Sequence, residues 1–175
     1  MFVKLIFGLS KRSVFLLYSI PFLIVQMLPT DIYGTTVLLL RIISGLPFLI
    51  WLYMAGTILI KNVNNNLKSI FLFKSCVVYM IMYLIFIMVF IKLNLFVRAE
   101  GISLLLFVVF HILSLVSIFL AINFVSKYMS LYKNKNYIYT DKYWTIFILL
   151  CLFPIGMCYL NPQLQIILNK HSVEQ

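Results

Sequence analysis

The chain has 175 residues, of which 64% are hydrophobic, 17% aromatic and only 10% charged, against about half apolar and about a quarter charged in soluble domains. A soluble domain of this size has no interior large enough to hide so much apolar surface, so composition excludes an ordinary soluble enzyme or binding module. The formal charge of +10 comes from 14 Lys and Arg against 4 acids, and because no compact basic domain is present it disfavours nucleic acid and suits anionic lipid headgroups.

Residues 1–12 place Phe2, Leu5, Ile6 and Leu9 at helical spacing, with Lys4, Lys11 and Arg12 free for headgroups. That pattern predicts a short interfacial segment. A first crossing follows over residues 14–28. Its basic start and short apolar core have the form of a signal peptide, but Gln26-Met27-Leu28-Pro29-Thr30 offers no small-x-small cleavage site, so a retained span is expected.

Asp31 to Thr36 reads as a polar turn around Gly34, and the second crossing covers residues 37–60. Pro47 removes an amide donor and frees the carbonyl of Ile43, which predicts a kink supported by Ser44. Gly45 and Gly56 fall nearly on one helical face, with Arg41 one turn from Gly45, and such a face admits a neighbouring helix closely.

Residues 61–74 form a basic, asparagine-rich connection whose apolar centre, Leu67 to Phe73, suits the interface. The third crossing is expected over 75–91, and Lys92, Arg98, Glu100 and Gly101 make the next connection. The fourth, over 102–125, contains no Lys, Arg, Asp, Glu, Gly or Pro. It is long enough to cross a hydrocarbon core of roughly 30 Å as a helix.

Ser126 to Lys142 is the most polar stretch, with Lys127, Lys133, Lys135, Asp141 and Lys142 interleaved with Tyr128, Tyr132, Tyr137 and Tyr139. An interfacial aromatic belt over anionic headgroups is the preferred reading. A docking surface for a partner protein or RNA is the sharper one. The last apolar segment, residues 143–168, is interrupted by Pro154, Gly156 and Asn161-Pro162. Either a kinked fifth span or a re-entrant helix satisfies this pattern.

Orientation follows from the cations outside the spans. Lys4, Lys11, Arg12, Lys61, Lys68, Lys74, Lys127, Lys133, Lys135 and Lys142 fall on one side and Lys92 and Arg98 on the other. Ten against two places the N-terminus in the cytoplasm.

Few residues offer chemistry. His111 lies ~13 Å into its span by the helical rise, where an ionisable group is a functional candidate by default. A proton relay, a pore-lining gate or a metal ligand is the sharp reading, and an interhelical hydrogen bond, with Ser114 one turn away, is the preferred one. Arg41 is close enough to the surface to snorkel, or to pair with Asp31 or Glu100. Cys76, Cys151 and Cys158 lack metal-ligand spacing and read as small buried hydrophobes. No carboxylate lies in a span and no Ser or Cys has a His at motif spacing, so neither an enzyme nor a metal or other cofactor is expected. Coupled transport is disfavoured too, because paired broken helices in an inverted repeat are not seen.

The segments RIISGLPFLIWLYMAG (Arg41 to Gly56), FHILSLVSIFLAINFVSK (Phe110 to Lys127) and FPIGMCYLNPQL (Phe153 to Leu164) resemble a group of small four-span membrane proteins from Bacteroidota. In that group a similar phenylalanine-proline-isoleucine-glycine motif is followed by a tryptophan and a glutamine-proline pair. This chain departs from it with Cys158 and Tyr159 near the expected tryptophan and Asn161 before Pro162. The resemblance implies the fold and a bacterial host, and no activity. In size and span number the chain also resembles the multi-pass accessory proteins encoded beside RNA-targeting type VI-B CRISPR effectors, which implies a link to antiviral defence.

The sequence therefore predicts one all-α integral membrane domain over residues 1–175, with four transmembrane helices plus a C-terminal re-entrant or fifth helix. The expected function is a non-enzymatic accessory protein of the bacterial inner membrane, binding anionic headgroups or a protein partner through its basic loops. The alternative is an oligomeric pore former or permeability effector, assembled through the Gly45 and Gly56 face, with His111 near the conduction path.

Overall fold

The computed structural model describes residues 10–28, 30–63, 67–92, 101–135, 143–153 and 155–173. Every regular element among them is helical. The first helix starts as α1 (Lys11–Val14), passes through a π-helical turn (Phe15–Ser19) and continues as α2 (Ile20–Met27). It is followed by α3 (Thr30–Ser44), α4 (Leu46–Val63), α5 (Leu67–Lys92), α6 (Ile102–Lys135), α7 (Tyr143–Cys151) and α8 (Ile155–Val173). Three stretches are long and apolar enough to cross a membrane: Gly34–Ile60, Lys68–Lys92 and Leu104–Tyr132.

Local chemistry sets the breaks. Gly34, at φ 50°, interrupts α3 in a left-handed conformation that a Cβ would disfavour. The second break falls at Gly45, so Pro47 occupies the first turn of α4, where its missing amide has no helical acceptor to serve. Ser44 does assist the break, its Oγ donating to the Arg41 carbonyl at 2.7 Å.

Two helices outrun their apolar cores. α5 begins at Leu67, taking the apolar centre of the basic connection into its first turns, and α6 continues to Lys135 rather than ending near Val125. The extension of α6 carries Ser126, Tyr128, Met129 and Tyr132, all buried. Packing of one face, rather than hydropathy, maintains the helix there.

Cross-helix contacts fix the directions. Phe73 stacks on Phe124 with centroids 4.7 Å apart, Tyr79 Oη donates to the Phe110 carbonyl at 3.2 Å, and Phe90 stacks on Phe107 at 5.2 Å. Advancing along α5 therefore retreats along α6, and the pair is antiparallel. At the far end of the first helix, Arg41 Nη2 donates to the carbonyls of Gln26 (3.1 Å) and Leu28 (2.7 Å). Lower down, Phe22 and Phe48 meet the same ring, Phe153, so the first helix runs against α3 and α4.

The C-terminal pair follows the same logic. α7 starts beside Asn123, whose Oδ1 accepts from Tyr143 Oη at 2.6 Å, and ends at Leu150 and Cys151, which face Ile118 and Ile122 across a cavity. It runs against α6. α8 then passes Ser19 at Cys158 and lies against α1 further on, so it runs against the first helix. Between them the chain turns so tightly that a Cβ on Gly156 would overlap the Leu149 carbonyl.

The glycines can be ranked by what their missing side chains would meet. At Gly156 the obstacle is backbone, which cannot step aside, and Gly156→Ala is expected to prevent accumulation of folded protein. At Gly56 the obstacle is the buried Phe73 ring, so Gly56→Ala should cost about 1–3 kcal/mol in detergent unfolding. Gly45 meets only its own Ile42 carbonyl, at 3.4 Å, and Gly45→Ala should stay within about 1 kcal/mol of the parent. Equal stabilities in all three would contradict this packing.

Candidate functional site

α8 carries its polar side chains as a stripe. Cys158, Asn161 and Gln165 fall at i, i+3 and i+7, one face of a helix. Asn161 is fully buried, and its Oδ1 accepts from Trp51 Nε1 at 3.2 Å, with the indole itself fully buried in α4. A buried amide without a partner costs about 1–3 kcal/mol, so this pairing lets a polar residue enter the core. One residue on, Pro162 has no N–H to donate back to the Cys158 carbonyl, which opens a gap in the ladder of α8.

Ser19 closes the upper end of the stripe. It is fully buried in the π-helical turn, with Oγ 3.5 Å from Cys158 Sγ. π-helical turns recur where a helix must aim a side chain off its regular register. Beyond this pair, Phe153 packs edge-on against Phe22 at 5.0 Å and tilted against Phe48 at 4.5 Å. The three rings separate the stripe from an apolar cavity of about 380 Å³, bounded by α2, the α3–α4 junction, α5, α6 and the end of α7. On the far side of α8, Gln163 Oε1 is buried without a hydrogen-bond partner among the described residues.

His111 belongs to a second cluster. It sits on the exposed side of α6, its Nδ1 hydrogen-bonded to the hydroxyl of the buried Tyr83 of α5 and its ring stacked near Phe107. Ser114 is half-buried on the same helix, and the hydrogen-bond partner of the imidazole comes from the neighbouring helix instead. Arg41 is a helix cap: Nη2 holds the last carbonyls of the first helix, the favoured place for a cation. Its Nε is buried without a partner among the described residues.

The remaining candidates are dispersed. Gly56 is buried against Phe73 of the same chain and Gly45 lines the cavity, so that face is turned into the bundle. Lys127 is exposed on α6. Lys133 and Lys135 belong to the last turn of α6, with side chains outside the described atoms, and Lys142, Glu100 and Pro154 lie outside the described residues, as does the side chain of Asp31. Cys76, Cys151 and Cys158 are free thiols. Among the described residues no three His, Cys, Asp or Glu side chains converge as metal ligands. Trp51, Ser19 and Tyr83 are the side chains that sequence reasoning passes over. The signal for the first was the Asn161-Pro162 pair within an apolar run, since an amide in a core requires a donor or acceptor opposite it.

Comparison with models of protein families, with curated proteins and with solved structures yields no match.

Removing one member of the Trp51 and Asn161 pair takes a buried hydrogen-bond partner from the other. Trp51→Phe and Asn161→Leu should each cost about 1–3 kcal/mol, and the double variant distinctly less than their sum. Unfolding of the four species in one detergent measures the coupling. Strict additivity would mean that the two groups do not interact.

Proposed function

We propose that this chain is a four-crossing protein of the bacterial inner membrane whose C-terminal hairpin, α7 and α8, re-enters from the cytoplasmic side. Four crossings require the first helix as well as the three longer ones, and Lys11 through Met27 provides ~25 Å of continuous helix at ~1.5 Å per residue. The re-entrant path is supported by the opposed directions of α7 and α8, with Phe153 at their turn against Phe22 and Phe48 in the middle of the first two crossings. A fifth crossing would carry α8 away from α1, whereas it lies against α1.

The function we infer is non-enzymatic: an accessory protein that engages anionic headgroups and holds a protein partner at the cytoplasmic face. The observation that carries it is one basic end. Antiparallel packing gathers Lys11 and Arg12 of α1, Lys61 of α4, Lys68 of α5 and the Lys-bearing end of α6 together. α6 has 34 residues, which is ~50 Å of helix against a hydrocarbon core of ~30 Å, so it has length to spare for a rigid projection beyond the lipid. The ten-to-two excess of Lys and Arg that the sequence assigns to this side supports a cytoplasmic face. The resemblance to accessory proteins of type VI-B CRISPR loci makes a prokaryotic defence complex the first partner to test.

One observation favours an oligomeric pore as a second reading. Only 11% of the apolar window of α6 is buried, against 33% and 28% in the other two, and His111 lies on that open helix. A second copy would meet α6, because the Gly56 face is already occupied.

Native mass in mild detergent separates the two. The accessory reading expects a monomer or dimer carrying a soluble partner, and exchange of Lys127, Lys133, Lys135 and Lys142 for Gln should cut partner recovery at least tenfold while the chain still resists alkaline extraction. Unchanged recovery would contradict it. A closed homo-oligomer without partner, releasing trapped ions from liposomes in a manner altered by His111→Ala, would establish the pore instead.

A further inference from the structure

The aromatic closure of the hairpin leaves the opposite half of the bundle with an unusual feature. Above Phe153 the cavity of about 380 Å³ is lined by Phe22, Gly45, Phe48, Ile118 and Cys151 among others. Water needs two to four polar partners to occupy such a space, and this lining is hydrocarbon apart from one thiol. Dry apolar cavities of roughly 150 Å³ already take up a benzene-sized molecule.

The cavity also opens outward. Cys151 is exposed, and Phe22, Gly45 and Ile118 are only half-buried. The neighbouring surface of α6 presents Leu115, Val116 and Phe119, all exposed, so what meets the opening on the membrane reading is lipid hydrocarbon rather than water.

A cation stands at the end of this cavity nearer the membrane surface. Arg41 is one helical turn from Gly45, and the carbonyls it caps, Gln26 and Leu28, are a turn or more beyond Phe22. Its Nη2 is taken up by those two carbonyls, and its Nε is buried without a hydrogen-bond partner among the described residues. Guanidinium at a lipid surface is the natural partner of a phosphate, which supplies both a counter-charge and several acceptor oxygens.

We propose that this cavity is a binding site for a single phospholipid of the non-cytoplasmic leaflet, with one acyl chain above Phe153 and the phosphate paired with Arg41. The inference rests on the four-crossing reading and is independent of any partner at the basic face. A lipid chain here would complete the bundle beyond the tip of the hairpin, whose Leu150, Cys151 and Phe153 form one wall of the cavity.

The test uses the full chain, purified in mild detergent, stripped of lipid and titrated with phosphatidylglycerol under native mass spectrometry. One phospholipid per chain is expected. Ile118→Trp, which fills the cavity, and Arg41→Gln, which removes the charge, should each raise the lipid concentration for half-occupancy at least tenfold, and Arg41→Lys should restore most of the Arg41→Gln loss. Diacylglycerol, which lacks phosphate, should bind the parent as weakly as phosphatidylglycerol binds Arg41→Gln. Since Arg41 also caps the first helix, the Ile118→Trp result stands even where Arg41→Gln fails to fold. Equal occupancy in parent and Ile118→Trp, or equal binding of diacylglycerol, would overturn the site. A chain that alkaline washing strips from membranes would sink the membrane reading along with it, whereas an embedded chain that retains no phospholipid would sink this inference alone.

Discussion

An indole N–H and an amide carbonyl, both sealed from the surroundings, meet where α8 crosses α4. Separating them would take a hydrogen-bond partner from two buried dipoles at once. This single contact settles several others. It holds α8 at one height along α4, which brings Cys158 to Ser19 and sets Phe153 between Phe22 and Phe48. It also tolerates Pro162 beside Asn161, because an arm pinned by a side-chain bond can lose one rung of its backbone ladder. The Phe153 turn and the cavity above it are arranged around that height.

The packing of α6 is inverted relative to its hydropathy. Its most apolar half, around Leu104 to Leu120, is largely exposed, while the less apolar end from Ala121 to Tyr132 supplies its buried face. The inversion follows from where α7 lies, since it covers α6 only beside Asn123 and toward Ile118. Over the open half the companion of α6 is α5, through the aromatic cluster of Phe86, Phe90, Phe107 and Phe110. His111 joins that cluster, and Tyr83 relieves one of its ring nitrogens.

Hydropathy made the all-helical class and the long apolar helices legible, because twenty apolar residues in a row have few other uses. Gly34 was legible as an interruption, but the residues around it from Asp31 to Thr36 are helical rather than an open turn. The expected kink at Pro47 is instead a break at Gly45, with Pro47 in the first turn of α4. What sequence did not disclose depended on contacts between distant residues. The extension of α6 to Lys135 follows from burial of Tyr128, Met129 and Tyr132 against other helices, which no local pattern announces. Tyr83 as the partner of His111 and Trp51 as the partner of Asn161 required the register between helices. Gly156 was legible as a helix interruption but not as the point where backbone meets backbone at Leu149. His111 and Arg41 stood out because charge in an apolar run is visible anywhere. Their bonds to Tyr83 and to the end of the first helix were not.

The proposed hairpin has α7 and α8 entering and leaving on one side. It is tested most directly by single cysteines placed at Asn136, before α7, and at Gln175, after α8, in a chain with Cys76, Cys151 and Cys158 replaced by Ala. A membrane-impermeant maleimide applied to inside-out vesicles should label both positions, and applied to intact spheroplasts it should label neither. Labelling of the two positions from opposite sides would make the segment a fifth crossing and contradict the hairpin.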